Sequence, residues 1–146
     1  MTINAGMLSS HCETWETPPD IFELCNEEFG FTLDVCAYPE TAKCEHYFTP
    51  EVDGLSQVWD GRCWMNPPYG RVIGDWMKKA WESAQSTASV VVCLVPARTD
   101  TDWWHRWAML GEIRFIRKRI RFVGADSCAP FPSAIVVFRK EWWKSR

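Results

Sequence analysis

Residues 62–71 read RCWMNPPYGR. An apolar run gives way to an amide, two prolines, an aromatic ring and a glycine. Asn-Pro opens many turns, but a turn needs only one proline. Every residue in the stretch has a use if its partner is an exocyclic amine on a planar ring. Such an amine is a poor nucleophile because its lone pair is delocalised into the ring. The side-chain carbonyl of Asn66 can accept a hydrogen bond from the NH2 group. The backbone carbonyl of Pro67 offers a second acceptor. Together they draw electron density toward nitrogen and favour the tetrahedral geometry of attack. Pro67 and Pro68 fix φ and hold the two acceptors in place. Tyr69 offers a ring face on which a base can stack, worth about 1–3 kcal/mol on other stacking platforms. Gly70 permits close backbone approach.

The flanking elements must carry this stretch. CWM reads as a short buried strand leading into it, and a helix is expected over residues 71–86. Val72, Trp76, Ala80 and Ala84 form one apolar line on that helix, and Ile73, Met77 and Trp81 the next. TPPDIFELCNEEFG reads as an earlier helix, with Thr17 as cap, Pro18 in the first turn, Asp20 completing a capping-box-like spacing and Gly30 as the stop. FTLDVCA follows as a buried strand with Asp34 near its carboxyl end. ASVVVCLVPA is the clearest buried strand, suited to the middle of a parallel sheet. DTDWWHRWAML reads as a short helix, with Asp100 and Asp102 as caps and Trp103, Trp104 and Trp107 in the core. EIRFIR and RIRFV are strand-like, and SAIVVFR is a last strand. This order favours a single α/β domain with helices on both faces of the sheet. Ligands in such sheets sit beyond the carboxyl ends of the strands, where both Asp34 and Asn66 are placed.

Composition narrows the class. At 146 residues the chain can bury a real core as one domain, with residues 1–12 flexible. No apolar run approaches a membrane span, and no secretory signal is visible, so a soluble cytoplasmic protein is expected. Seven scattered cysteines without a CxxC pair read as reduced thiols. Cys36, Cys44 and His46 match no standard zinc spacing, so no metal is expected. Net charge is −3, but it is unevenly distributed: nine Lys/Arg against three Asp/Glu in residues 112–146, seven against sixteen before them. The run IRFIRKRIRF reads either as a solvated basic strand face or as a phosphate-facing edge.

Nearly the whole chain resembles the phage DNA N6-adenine methyltransferase (Dam) family. The resemblance rests on WETP at 15–18, LDVCA at 33–37, TAKCEHYFTPEVDGLSQVW at 41–59 and NPPYG at 66–70. It continues with VPARTDTDWWH at 95–105, RIRF at 119–122 and APFPSAIVVF at 129–138. It implies a Rossmann-like sheet, mostly parallel with an antiparallel strand near the carboxyl terminus. It implies S-adenosylmethionine as methyl donor and double-stranded DNA with a flipped-out adenine as substrate. Asn66, Pro67, Pro68 and Tyr69 would be catalytic. Trp15, Thr17, Pro18, Asp34, Ala37 and Asp53 would form the cofactor pocket, with Asp34 toward the methionine ammonium and Asp53 toward the adenine amine. Either Tyr47 or Phe48 would stack on that adenine. Tyr69, Arg71, Arg98, Arg117, Arg119 and Arg121 would face DNA, the last three sharing a face if their strand continues unbroken. A phage or prophage origin and a role in protection from restriction are further implications.

The chain departs from the wider methyltransferase pattern. DVCAYPET stands where a glycine-rich loop is usual, and the helix after the first strand is missing or very short. Structural readings also stand beside the functional ones. Asp34 also reads as a capping residue, Asp53-Gly54 as a turn, and Arg98 as half of a surface ion pair. The same chemistry on RNA or a protein glutamine, or an inactive DNA-binding anti-restriction module, are the competing functions.

Overall fold

The computed structural model describes residues 15–145. Residues 1–12, expected to be flexible, lie outside the described part. In chain order the elements are α1 (Pro19–Phe29), β1 (Leu33–Asp34), β2 (His46–Tyr47), β3 (Gly61–Met65), α2 (Ile73–Ala84), β4 (Ala88–Pro96), α3 (Asp102–Arg106), β5 (Glu112–Phe115) and β6 (Ser133–Arg139). The strands form one six-stranded sheet in the order β2-β1-β3-β4-β6-β5. β2, β1, β3 and β4 run parallel, and β6 is antiparallel to both β4 and β5. This is the mostly parallel sheet with a reversed strand near the carboxyl terminus, with helices on both faces.

Burial follows the pattern of side chains. Residues 90–96 of β4 are all buried, because β3 and β6 flank the strand and helices cover it. On α2, Ile73, Trp76, Met77, Ala80 and Ala84 are buried, as their spacing requires. The helix is two residues shorter at each end than expected, and Val72 becomes its exposed cap. α1 meets the sheet through Phe22, whose ring lies edge-on to Trp64 of β3 at 5.3 Å. Gly30 ends α1 in the left-handed conformation (φ 62°) and donates to the carbonyl of Asn26.

Three local expectations need correction. Pro18, not Thr17, occupies the cap of α1, and no side chain caps it. Pro18 and Pro19 lack N–H groups, so the helix start has fewer orphan donors to satisfy. The Thr17 hydroxyl is free to turn elsewhere. On α3 the cap is Thr101, whose hydroxyl accepts from the Trp104 amide at 3.4 Å, in place of Asp100 or Asp102. Trp104 is buried as expected, and Trp103 and Trp107 are half-buried against the core. The basic strand does not continue to residue 121. β5 stops at Phe115, and Lys118 takes a positive φ of 66° that breaks the ladder. Beyond the break, Ile120 and Phe122 still point inward while Arg119 and Arg121 point out.

Candidate active site

The strand order reverses between β1 and β3. From there the chain steps outward to β2 on one side and to β4 on the other. The crevice beyond the carboxyl ends of these two strands is where a doubly wound sheet holds a ligand. A cleft of about 660 Å³ opens there, within the range of about 300–1,000 Å³ usual for small-molecule sites. Asp34 and Trp64 are paired across the two strands at its floor. Trp15, Glu16, Thr17, Ala37, Lys43, Phe48, Asp53, Asn66, Pro67, Pro68 and Trp76 are among its walls.

Asn66 follows β3 directly, so the rigid strand fixes its backbone. Its side-chain nitrogen donates to the backbone carbonyl of Trp15 and to the Thr17 hydroxyl, the latter at 3.0 Å. A carbonyl can only accept, so the amide edge facing Trp15 must be the NH2 group. The opposite edge, Oδ1, is therefore presented in one direction. It is buried and has no hydrogen-bond partner among the described residues. An unsatisfied buried acceptor costs about 1–3 kcal/mol, which a donor arriving from a ligand would recover.

Asp34 is 2% exposed. Its carboxylate accepts from the backbone amides of Lys43 (3.0 Å) and Cys36 (3.3 Å). In DVCAYPET this carboxylate, instead of a glycine-rich loop, gathers the turn after the strand. Burial pushes the Asp34 carboxyl up to about 6, and the two amides and the Lys43 charge only partly offset it. Burial, followed by the Asp34 charge, pushes the Cys36 and Cys44 thiols up to about 12, so neither brings a thiolate to the site at neutral pH. Among the described residues, no three His, Cys, Asp or Glu side chains gather as a metal group.

Asp53 lies on the exposed rim of the cleft with a positive φ of 53°. Next to it, Gly54 is fixed by space. A Cβ there would stand 2.4 Å from the Val35 carbonyl and 3.0 Å from the Trp76 ring. This turn is pressed into the end of β1, and the Trp59 indole donates to the Gly54 carbonyl at 2.8 Å. Between the two aromatic candidates for the wall, Phe48 lines the cleft and Tyr47 does not. Ala37 lies beside Phe48, to whose carbonyl its amide donates at 2.9 Å.

The structure does not bring every expected residue to the cleft. Tyr69 is 5% exposed and is not one of the lining residues. Its hydroxyl donates to the Leu94 carbonyl at 3.0 Å, and its ring meets Phe131 and Phe122 edge-on. The expectation of a ring face open to a ligand is not met in this structure. Arg71, Arg98, Arg117, Arg119 and Arg121 are all exposed. Arg98 makes no ion pair among the described residues; its guanidinium lies 5.6 Å from the centre of the Phe131 ring. Arg121 donates to the Ala125 carbonyl. Arg114, in the same basic run, is held by Glu28 at 2.7 Å and Glu112 at 2.6 Å, and so serves the fold.

Several site residues carried no sequence signal of their own. Lys43 and Glu16 face the cleft as an ion pair at 3.8 Å. Phe122 and Phe131 join Trp15 and Tyr69 in an aromatic cluster behind the Asn-Pro-Pro stretch. The Val123 amide donates to the Glu16 carbonyl at 3.1 Å, tying the carboxyl-terminal loop to the 15–18 strap.

These features define a doubly wound α/β protein with a cleft at its switch point and an Asn-Pro-Pro stretch in the cleft wall. A family model described as DNA N-6-adenine-methyltransferase (Dam) matches residues 5–146, and the chain belongs to that family. It is 32% identical over 97 residues to the DNA N-6-adenine-methyltransferase of Haemophilus phage HP1, covering 64% of this chain and 56% of that protein. It is 30% identical over 95 residues to the protein of the same name from Escherichia phage T1, covering 63% of this chain and 39% of that one. The matches thus span about half of these relatives or less. Among solved structures, the 23S rRNA methyltransferase ErmE superposes with a TM-score of 0.43 at 17% identity, over 87% of this chain and 51% of that one. Among the described residues no helix is long and apolar enough to cross a membrane.

Proposed function

We propose that this chain transfers a methyl group from S-adenosylmethionine to N6 of adenine in DNA. The observation that carries the reading is the unpartnered Oδ1 of Asn66, buried at the cleft wall with its orientation fixed from behind. An acceptor in that state suits an incoming amino group. The Pro67 carbonyl supplies the second acceptor, and the prolines spare both groups reorganisation during the reaction.

The cleft suits the donor in size and chemistry. Asp34 would hold the ammonium of its amino-acid end, Asp53 the adenine amine, and Phe48 an adenine face, with Trp15, Thr17 and Ala37 completing the pocket; Pro18, expected there too, caps the first helix and does not line the cleft. Bound there, S-adenosylmethionine supplies an electrophilic methyl on sulfonium. No strong general base is required of the chain, because the target nitrogen loses its proton after transfer, when it is already acidic. Positioning carries the catalysis.

An adenine inside a duplex cannot reach this cleft, so it must be flipped out, at a cost of a few kcal/mol. Arg71, Arg98, Arg117, Arg119 and Arg121 would then meet phosphate. For Tyr69 to stack on the flipped base, Phe122 and Phe131 must yield. Both belong to the loop segment that also carries Arg119 and Arg121, so backbone contact and base entry are linked in this reading. Phage or prophage DNA modification is the setting that the phage relatives favour.

The test is transfer of labelled methyl to unmethylated DNA, RNA and protein by the purified chain, with Asn66→Ala beside it. DNA adenine should be labelled, and Asn66→Ala should abolish transfer while S-adenosylmethionine affinity stays within a few-fold. Normal turnover by a folded Asn66→Ala protein, or labelling only of RNA or protein, refutes the proposal.

A further inference from the structure

Three anionic side chains line the cleft, those of Glu16, Asp34 and Asp53. Among the described residues that line it, Lys43 is the only cation. Its position is specific. Its own backbone amide donates to Asp34 Oδ2 at 3.0 Å, so the ammonium-seeking carboxylate and the lysine belong to one turn. Its side chain is 16% exposed, and its nearest ionic partner, Glu16, is 3.8 Å away. That distance is long for a charge-assisted hydrogen bond, whose usual N–O length is about 2.7–2.9 Å. The lysine is held in the cleft without being consumed by its neighbour.

We infer that Lys43 and Asp34 together form a zwitterion-reading pair, in which Lys43 binds the carboxylate of the amino-acid end of the methyl donor while Asp34 binds its ammonium. This rests on the S-adenosylmethionine reading above and adds to it the residue that distinguishes an amino acid from a simple amine. Ion pairing to a carboxylate is favourable here because Lys43 is largely removed from solvent. At 3.8 Å Glu16 competes for that charge without the short hydrogen bond that a closer carboxylate would make. Without a cation at this point, the donor's carboxylate would enter a cleft lined by three negative groups.

The test compares two ligands by calorimetry: S-adenosylmethionine and its decarboxylated form, which keeps the sulfonium and the ammonium. The parent should prefer the carboxylated ligand by about tenfold or more, the scale of one charge-assisted contact. Lys43→Met should reduce that preference to within about threefold by weakening only the carboxylated ligand. Lys43→Arg should retain most of it, and Glu16→Gln should increase it by removing the competing carboxylate. The decarboxylated ligand reports whether each variant is folded and its cleft intact. If Lys43→Met weakens both ligands equally, the lysine only shapes the cleft and the inference fails. Should the parent show no preference, or Lys43→Met keep it, the inference is likewise overturned while the S-adenosylmethionine reading stands. A parent that binds neither ligand overturns both. If Lys43→Met does not fold, Lys43→Gln takes its place, and a preference for the carboxylated ligand retained there overturns the inference.

Discussion

Replacing Asp34 with Asn should stabilise the fold at neutral pH and destabilise it in acid. The folded carboxyl is raised to about 6 from its ordinary 3.8, chiefly by burial. At about 1.4 kcal/mol for each tenfold change in proton affinity, keeping it ionised in the folded chain costs about 3 kcal/mol. Because the folded value lies above the unfolded one, the folded chain holds a proton between pH 3.8 and about 6 that the unfolded chain has released. Stability therefore falls as pH rises through that window, and the cost is fully present above it. Asn carries no such cost. It accepts from only one of the two amides that Asp34 satisfies, Cys36 or Lys43, and the other donor left unpaired costs about 1 kcal/mol or more. Asp34→Asn should thus be more stable by about 1–2 kcal/mol at pH 8 and about equal or slightly weaker at pH 4.5. Urea unfolding followed by tryptophan fluorescence at both pH values measures this. The difference between the two proteins cancels every other carboxyl in the chain. A swing of about 2 kcal/mol between the two conditions is expected. A difference that does not change with pH would show that Asp34 titrates normally in the folded protein, and the argument from its desolvation would be wrong.

Three further outcomes are expected. Thr17→Val, which removes the hydroxyl accepting from Asn66 and keeps the shape, should lower kcat about tenfold with the KM for S-adenosylmethionine nearly unchanged, and Thr17→Ser should restore it. Equal loss in KM would instead make Thr17 a binding residue. Gly54→Ala drives a methyl against the Val35 carbonyl and the Trp76 ring, so the urea midpoint should fall by the equivalent of about 1–3 kcal/mol. In DNA titrations against salt, Arg117→Ala and Arg119→Ala should each reduce the log–log slope by about 0.9, and unchanged slopes would place the DNA elsewhere.

What the sequence discloses depends on the range of the interaction. The apolar spacing on α2, the left-handed stop at Gly30 and the continuous run of β4 are local patterns, and all three appear in the fold. The placement of Asp34 and Asn66 at strand ends was legible for the same reason, since it follows from where short apolar runs stop. Thr17 misleads because its local context is that of a helix cap, whereas its actual partner lies 49 residues away. Tyr69 misleads because nothing local reveals that Phe122 and Phe131 will fold back over it. The run from Arg117 to Arg121 reads like a strand, but burial alternates only from Arg119 to Phe122. One positive φ at Lys118 separates it from the ladder, and a sequence pattern does not record a single backbone angle. Lys43 is silent because its meaning comes from being the only cation among the described residues that line the cleft, a property of the assembled walls.

The strap at residues 15–18 has a practical consequence. It lies before the first helix and outside the sheet, yet its Trp15 carbonyl and Thr17 hydroxyl aim the Asn66 amide. Its other ties include the Trp15 contacts with Phe122 and Phe131 and the Glu16–Val123 hydrogen bond, to the carboxyl-terminal loop, and the Glu16–Lys43 ion pair. A proteolytic nick or a poorly placed fusion junction in these four residues would leave the six strands and their helices intact. Circular dichroism, solubility and melting would report a sound preparation, while the amide rotated freely and its two ends became interchangeable. Quality control of this chain therefore needs a chemical readout as well as a spectroscopic one.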